Sequence, residues 1–240
     1  MSNEQLPARY NPDAGWAQGM HIAISGLIGA GKTTLCTALS KVLGLPAYYE
    51  AVLDNEYLDD FYADQEKYGF PLQVYLLNHR FRQQQQVAWG AAGGIQDRSI
   101  YEDSIFAKML WKSGKMTDRD YRTYVSLFQN MSNFMRRPSV IVHLDVTPEE
   151  SLRRIKERSR GMESGIPLQY LQALKDGYEE FLLDISKTIP VIKVNWESFK
   201  TAEEMAAMIK REFDGMHTIH NIDWKDHLPV DELPASKQTE

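Results

Sequence analysis

The sequence has 240 residues, 43% of them hydrophobic and 25% charged, with a formal net charge of -6. This balance suits a soluble globular protein and excludes a wholly disordered chain; at roughly 150 residues per domain the length allows one or two domains, and one is the reading adopted. There is no uninterrupted run of about 18 apolar residues, which excludes a transmembrane helix, and the acidity argues against a nucleic acid polymer as partner while leaving room for a small anionic ligand.

Residues 1–19 lack the basic start and apolar middle of a secretory leader and the arginine content of a mitochondrial one, so they read as a polar arm. Cys36 is the single cysteine and cannot form an internal disulfide, which points to a reducing, cytoplasmic setting without a membrane. The apolar run HIAISG (21–26) reads as a buried strand, and LCTALSKVLG (35–44) as a helix stopped by Gly44. AYYEAV (47–52) reads as a second strand. Residues 70–89 form a long helix that Pro71 can start and Gly90 can end, with Gln83–Gln86 on its wet face. Three more strands follow at 93–99, 139–146 and 190–195, and a helix at 148–160 begins with Pro148 after Thr147. From residue 217 prolines and acids suggest an extended tail, and His217 and His220 lack the companions a metal site needs. The expected organisation is an arm (1–19), one domain (20–216) and a tail (217–240). Its fold is α/β, with a central parallel sheet covered by helices on both faces.

The segment Gly26-Leu27-Ile28-Gly29-Ala30-Gly31-Lys32-Thr33 matches G-x-x-x-x-G-K-[ST] between a strand and a helix. Glycines let successive N–H groups face a phosphate at the helix start. Lys32 brings positive charge to the terminal phosphates, and Thr33 offers a hydroxyl to Mg²⁺. A nucleoside triphosphate such as ATP is therefore the expected cofactor. Cys36, just beyond, reads as a packed residue. Glu50 ends the second strand of the expected parallel sheet, where such folds place their ligands; a carboxylate there could take a proton from an attacking hydroxyl, or be a surface glutamate at a strand end. Asp97 could hold Mg²⁺, and Arg98 could touch phosphate or the acceptor oxygen. Arg153, Arg154, Arg158 and Arg160 crowd one helix end; they read either as an exposed basic helix or, with a P-loop in the same chain, as a lid that closes arginines over the transferring phosphate.

From about His21 to Phe213 the sequence resembles the deoxynucleoside kinases, through GLIGAGKTT, YYEAV, Tyr62, QVYLLNHR, DRSIYED, RRIKERSRGMESGIPLQYL and VNWESF. The resemblance implies a P-loop kinase with an arginine-bearing lid that phosphorylates the 5'-hydroxyl of a 2'-deoxynucleoside and acts as a homodimer. Carried over residue by residue, it implies Glu50 as general base with Arg98 beside the hydroxyl. Tyr62 and Glu163 would bind the sugar 3'-hydroxyl; Gln73, Arg80 and Asp103 would form the base pocket. Gly26, Gly29, Ala30, Gly31, Lys32, Thr33 and Thr34 would cradle ATP, with Arg154 and Arg158 as lid arginines and Phe199 near the adenine. Ala51 stands where the family commonly has proline, and Asp97 where many animal members have glutamate. The short spacing from Asp103 to Phe106, with Leu76, is similar to the bacterial-type purine enzymes and implies deoxyadenosine first, with deoxyguanosine and deoxycytidine after it. Two rivals are a thymidylate-kinase-like monophosphate kinase, which would want a basic residue near Glu50 where Tyr48, Tyr49 and Ala51 stand, and a nucleotide switch or ATPase, which would leave Gln73, Arg80 and Asp103 without a role.

Overall fold

A computed structural model describes residues 12–49, 55–158 and 165–216. Five parallel strands form one sheet in the order β2-β3-β1-β4-β5. They are β1 (His21–Gly26), β2 (Ala47–Tyr48), β3 (Gly94–Asp97), β4 (Val140–Asp145) and β5 (Val191–Asn195). β1 is buried at every position and β4 at five of its six, so neither shows a polar alternation. This is the pattern of strands covered on both faces. Ile22, Ile24, Val140 and Val142 pack into one core cluster with Leu35, Leu39 and Leu43. Ala23 and Ile141 point into the other, with Leu72, Leu77 and Leu110.

The helices are α1 (Lys32–Leu43), α2 (Leu58–Ala63), α3 (Gln65–Trp89), α4 (Ile100–Lys112), α5 (Asp118–Ser132), α6 (Pro148–Arg158), α7 (Leu168–Ile185) and α8 (Ala202–Met216). Among the described residues none is long and apolar enough to cross a membrane. α1 ends at Gly44 in the left-handed conformation (φ 65°), a region that glycine enters without a Cβ penalty. α6 starts as its sequence predicts: Pro148 occupies the first turn, and the Thr147 hydroxyl accepts from the Glu150 N–H at 3.2 Å.

Three expectations change. α3 begins at Gln65, six residues before Pro71, because the Asp64 carboxylate caps it by accepting from the Lys67 N–H at 3.1 Å. Pro71 therefore sits inside the helix and leaves the Lys67 carbonyl without its helical donor. The glutamine run is not a wholly wet face: Gln83 and Gln84 are buried, Gln83 donating to the Tyr49 carbonyl at 2.5 Å and Gln84 to the Arg136 carbonyl at 3.1 Å. Within the expected arm, residues Pro12–Ala17 form a 3-10 helix whose Ala17 is fully buried against the core. The strand expected over 47–52 is described only as Ala47–Tyr48, and the tail lies outside the described residues.

Candidate active site

Parallel pairing aligns Ile24 with Asp97 and Gly26 with Leu144, so the P-loop leaves β1 beside the carboxyl ends of β3 and β4. The connections diverge here, from β1 toward β2 and from β4 toward β5, and such a divergence opens a crevice. A cavity of about 440 Å³ lies at this end, lined by Gly29, Gly31, Lys32, Thr33 and Thr34 on one side and by Tyr62, Gln73, Leu76 and Arg80 on the other. Asp97, Arg98, Phe106, Tyr170, Arg154, Arg158 and Phe199 complete the wall. Of the residues expected to bind or react, Glu50 and Glu163 lie outside the described residues.

The P-loop end is shaped by glycine backbone, with Lys32 and Thr33 beside it. Gly26 has φ 144°, and a Cβ there would lie 2.8 Å from the Leu144 carbonyl oxygen. Gly29 has φ 79°, and a Cβ would meet the Ile155 side chain at 2.8 Å. Both positions therefore require glycine for conformation and for space. The Ala30 N–H donates to the Leu27 carbonyl at 3.2 Å, tightening the loop, and Gly31 (φ 93°) opens α1. Lys32 donates to the Leu27 carbonyl at 2.8 Å and is buried at the cavity wall. The Thr33 hydroxyl donates to the Asp97 carboxylate at 2.5 Å, which brings together the two residues expected at a metal. Hard oxygen donors of this kind fit Mg²⁺, which keeps waters and substrate phosphates as its other ligands. Cys36 is buried, and burial followed by Asp97 pushes its thiol pKa well up, so it is an unreactive packed group.

The base end is side chains. Arg80 from α3 and Asp103 from α4 form an ion pair at 2% and 0% exposure. Among the described residues the buried Gln73 amide oxygen has no hydrogen-bond partner, and Gln73 lines the cavity. An unpaired buried carbonyl is costly, so a polar ligand edge that donates to it would be favoured. Arg98 lies between the two ends. It is the one non-glycine residue with positive φ (67°) among the described residues, a conformation worth about 1–3 kcal/mol of strain. Its N–H donates to the Ile24 carbonyl at 3.0 Å, and its guanidinium donates to Glu102 at 2.7 Å and to the Tyr178 hydroxyl.

The arginine cluster divides. Arg154 does not stand free as a lid residue. It is buried and braces three segments, donating to the carbonyls of Ala30 (3.2 Å), Trp196 (2.8 Å) and Glu197 (3.0 Å) and to the Glu150 carboxylate at 2.6 Å. Phe199 covers its guanidinium at 4.4 Å. Arg153 is exposed and pairs with Glu150 and Glu157; with Arg154 it holds the Glu150 carboxyl down to about 2. Arg158 lies at the cavity, and Arg160 falls outside the described residues. Glu102 and Tyr178 were not expected as site-related residues. The four-residue spacing of Arg98 and Glu102 across a strand-to-helix turn was the available signal.

A P-loop against a parallel sheet, with an acid at the end of the neighbouring strand, defines a P-loop kinase fold. The sequence pattern of deoxynucleoside kinases matches residues 22–217, and the chain belongs to that family. It is 62% identical over 205 residues to a deoxyadenosine kinase of Dictyostelium discoideum, covering 85% of this chain and 84% of the relative. It is 39% identical over 181 residues to a deoxyadenosine/deoxycytidine kinase of Bacillus subtilis, covering 74% and 83%. Among solved structures, deoxyadenosine kinase from M. mycoides with bound dATP superposes with a TM-score of 0.72 at 31% identity, over 81% of this chain and 99% of that one.

Proposed function

We propose that this deoxynucleoside kinase transfers the γ-phosphoryl group of ATP to the 5'-hydroxyl of deoxyadenosine first, and of deoxyguanosine and deoxycytidine second. One observation carries the reading: a single cavity joins the P-loop to Gln73 and Arg80, with Asp103 paired to Arg80 behind the lining. A nucleoside laid along it puts its base on the polar side chains and its 5'-hydroxyl toward Arg98 and the phosphates. The acceptor oxygen attacks the γ-phosphorus, the bond to the bridging oxygen breaks, and ADP leaves. Glu50, two residues past β2, takes the hydroxyl proton. Lys32, the P-loop N–H groups and Arg158 balance charge on the phosphates, and Arg98 orients the acceptor. Thr33 and Asp97 would hold Mg²⁺, which supplies further charge on the phosphates. Positioning and electrostatics are most of the catalysis in such a transfer. Phe199, over Arg154, offers its ring to the adenine of ATP. Tyr62 and Glu163 hold the sugar 3'-hydroxyl, and Tyr62 leaves a 2'-hydroxyl without room or partner. The purine lean agrees with the names of the relatives above.

The homodimer belongs to the same proposal. The groove between α4, α5 and α7 exposes Leu183 and is lined by Ile105, Met109 and Phe128, with Lys108, Lys112, Asp176 and Glu180 among them. A surface carrying both signs of charge can complement itself across a two-fold axis. Light scattering should give twice the mass of the chain. A reducing cytoplasmic setting fits the buried free thiol of Cys36.

Incubating the protein with ATP, with and without each deoxynucleoside, tests the reaction. ADP should form only with an acceptor, and best with deoxyadenosine. Equal ADP without acceptor would favour a switch ATPase, and thymidine used better than any purine would overturn the base assignment.

A further inference from the structure

The geometry points to Tyr178 and Glu102 as positioning residues that fix Arg98 between the P-loop and the acceptor. The inference rests on the role given to Arg98 in the proposed reaction. Arg98 lines the cavity, whereas neither Tyr178 nor Glu102 does. Both are buried, at 0% and 1% exposure. One nitrogen of Arg98, Nη1, donates to Glu102 Oε1 at 2.7 Å and to the Tyr178 hydroxyl. Tyr178 donates its own proton to the Gly26 carbonyl at 3.1 Å. That direction leaves a lone pair for the arginine, so one hydroxyl accepts from Arg98 and at the same time donates to the first glycine of the P-loop. Burial pushes the Tyr178 pKa up, which keeps the hydroxyl a donor.

The Phe106 ring lies against the same guanidinium at 5.1 Å. These contacts restrain Arg98 at Nη1 and along one face of its guanidinium, and the residue lines the cavity. A long arginine loses considerable side-chain freedom when ordered, and here that ordering is met before substrate arrives. Tyr178 lies on α7 and Glu102 on α4, so three separate elements and the P-loop meet at one atom group. The same hydroxyl therefore sets the distance between the residue that faces the acceptor and the loop that holds the donor.

Tyr178→Phe removes the hydroxyl and keeps the ring; Glu102→Gln keeps an acceptor and removes the charge. A hydrogen bond to a charged group is commonly worth enough to change a rate roughly tenfold or more. Each variant should lower kcat by about that factor with KM for ATP and nucleoside unchanged. In an Arg98→Ala background neither should cause a further loss, because residues acting through one group are not additive. NMR of the Arg98 guanidinium supplies a readout that needs no turnover: its protons should exchange faster in Tyr178→Phe than in wild type. Unchanged kcat with a lowered Tm, full additivity with Arg98→Ala, or unchanged exchange would overturn the inference. If wild-type protein transfers nothing to a nucleoside, the proposed reaction has failed, and the exchange measurement still decides whether Tyr178 holds Arg98.

Discussion

The two ends of the cavity are built from different material. At the P-loop end, Gly29 and Gly31 to Thr34 line the cavity from one continuous segment. At the base end, Gln73 and Arg80 come from α3 and Asp103 from α4, and all three are buried side chains. In the proposed reaction the P-loop cradle would recognise what all phosphates share, and so would fix the reaction and ignore the acceptor. Buried side chains impose a donor and acceptor pattern, so they select the acceptor and carry the cost of desolvated charge. A change at one end should therefore alter rate or ATP use, and a change at the other should alter acceptor choice or stability.

The largest effect is expected at the phosphate end. Lys32→Ala should lower kcat by about 10³-fold or more, because the charge facing the terminal phosphates is lost. Turnover near wild type would show that the cradle is not the site of ATP chemistry. Glu50→Gln should lower kcat by about 10²–10⁴-fold while ATP binding, read by calorimetry, persists. A change below about threefold would remove Glu50 as the base. At the base end, Asp103→Ala alone leaves Arg80 buried without its partner and should cost about 3–5 kcal/mol of stability in urea unfolding. Adding Arg80→Met should recover much of that loss, since an apolar pair of similar volume needs no desolvated charge.

A separate effect comes from two buried histidines outside the cavity, and it separates stability from either end. Burial pushes His21 down to about 4 and His143 down to about 3. Each holds fewer protons folded than unfolded, so acid favours the unfolded chain. Stability should be flat above pH 7 and fall below about 6.5, by up to 1.4 kcal/mol per pH unit for each histidine, until each folded pKa is reached. His143→Gln should flatten the decline of Tm with acid. An identical slope in that variant would place the acid sensitivity elsewhere.

The same contrast explains what could be read in advance. The P-loop, β1, the end of α1 at Gly44 and the start of α6 at Pro148 were legible because each depends on a few neighbouring residues. The α3 start was not: Pro71 is a strong local signal, but the cap is Asp64, and the turns between are held by tertiary packing. α2, α4 and α7 have no side-chain cap at their starts. α5 and α8 do carry one, Thr117 accepting from the Asp120 N–H and Thr201 from the Glu204 N–H, each at 3.1 Å, and these local signals were not used. Arg154 looked like its neighbours on a basic helix, yet it is buried by the carbonyls of Ala30 and Trp196, which lie 124 and 42 residues away. Glu102 was not singled out, although it and its neighbour Asp103 each pair with a buried arginine. Gln73, Arg80 and Asp103 were named through the family resemblance; their spacing alone does not pair Arg80 with Asp103 or put Gln73 and Arg80 on one cavity.

The division of labour is tested most directly by kcat/KM for deoxyadenosine and thymidine in wild type and in the Arg80→Met/Asp103→Ala double variant, with KM for ATP measured alongside. The account predicts that wild type strongly favours deoxyadenosine. In the double variant the ratio should move toward thymidine by roughly ten- to a hundredfold, as expected when a buried polar mismatch of about 1–3 kcal/mol is removed, while KM for ATP holds. An unchanged ratio, or a shift in KM for ATP as large as the shift in acceptor preference, would contradict it.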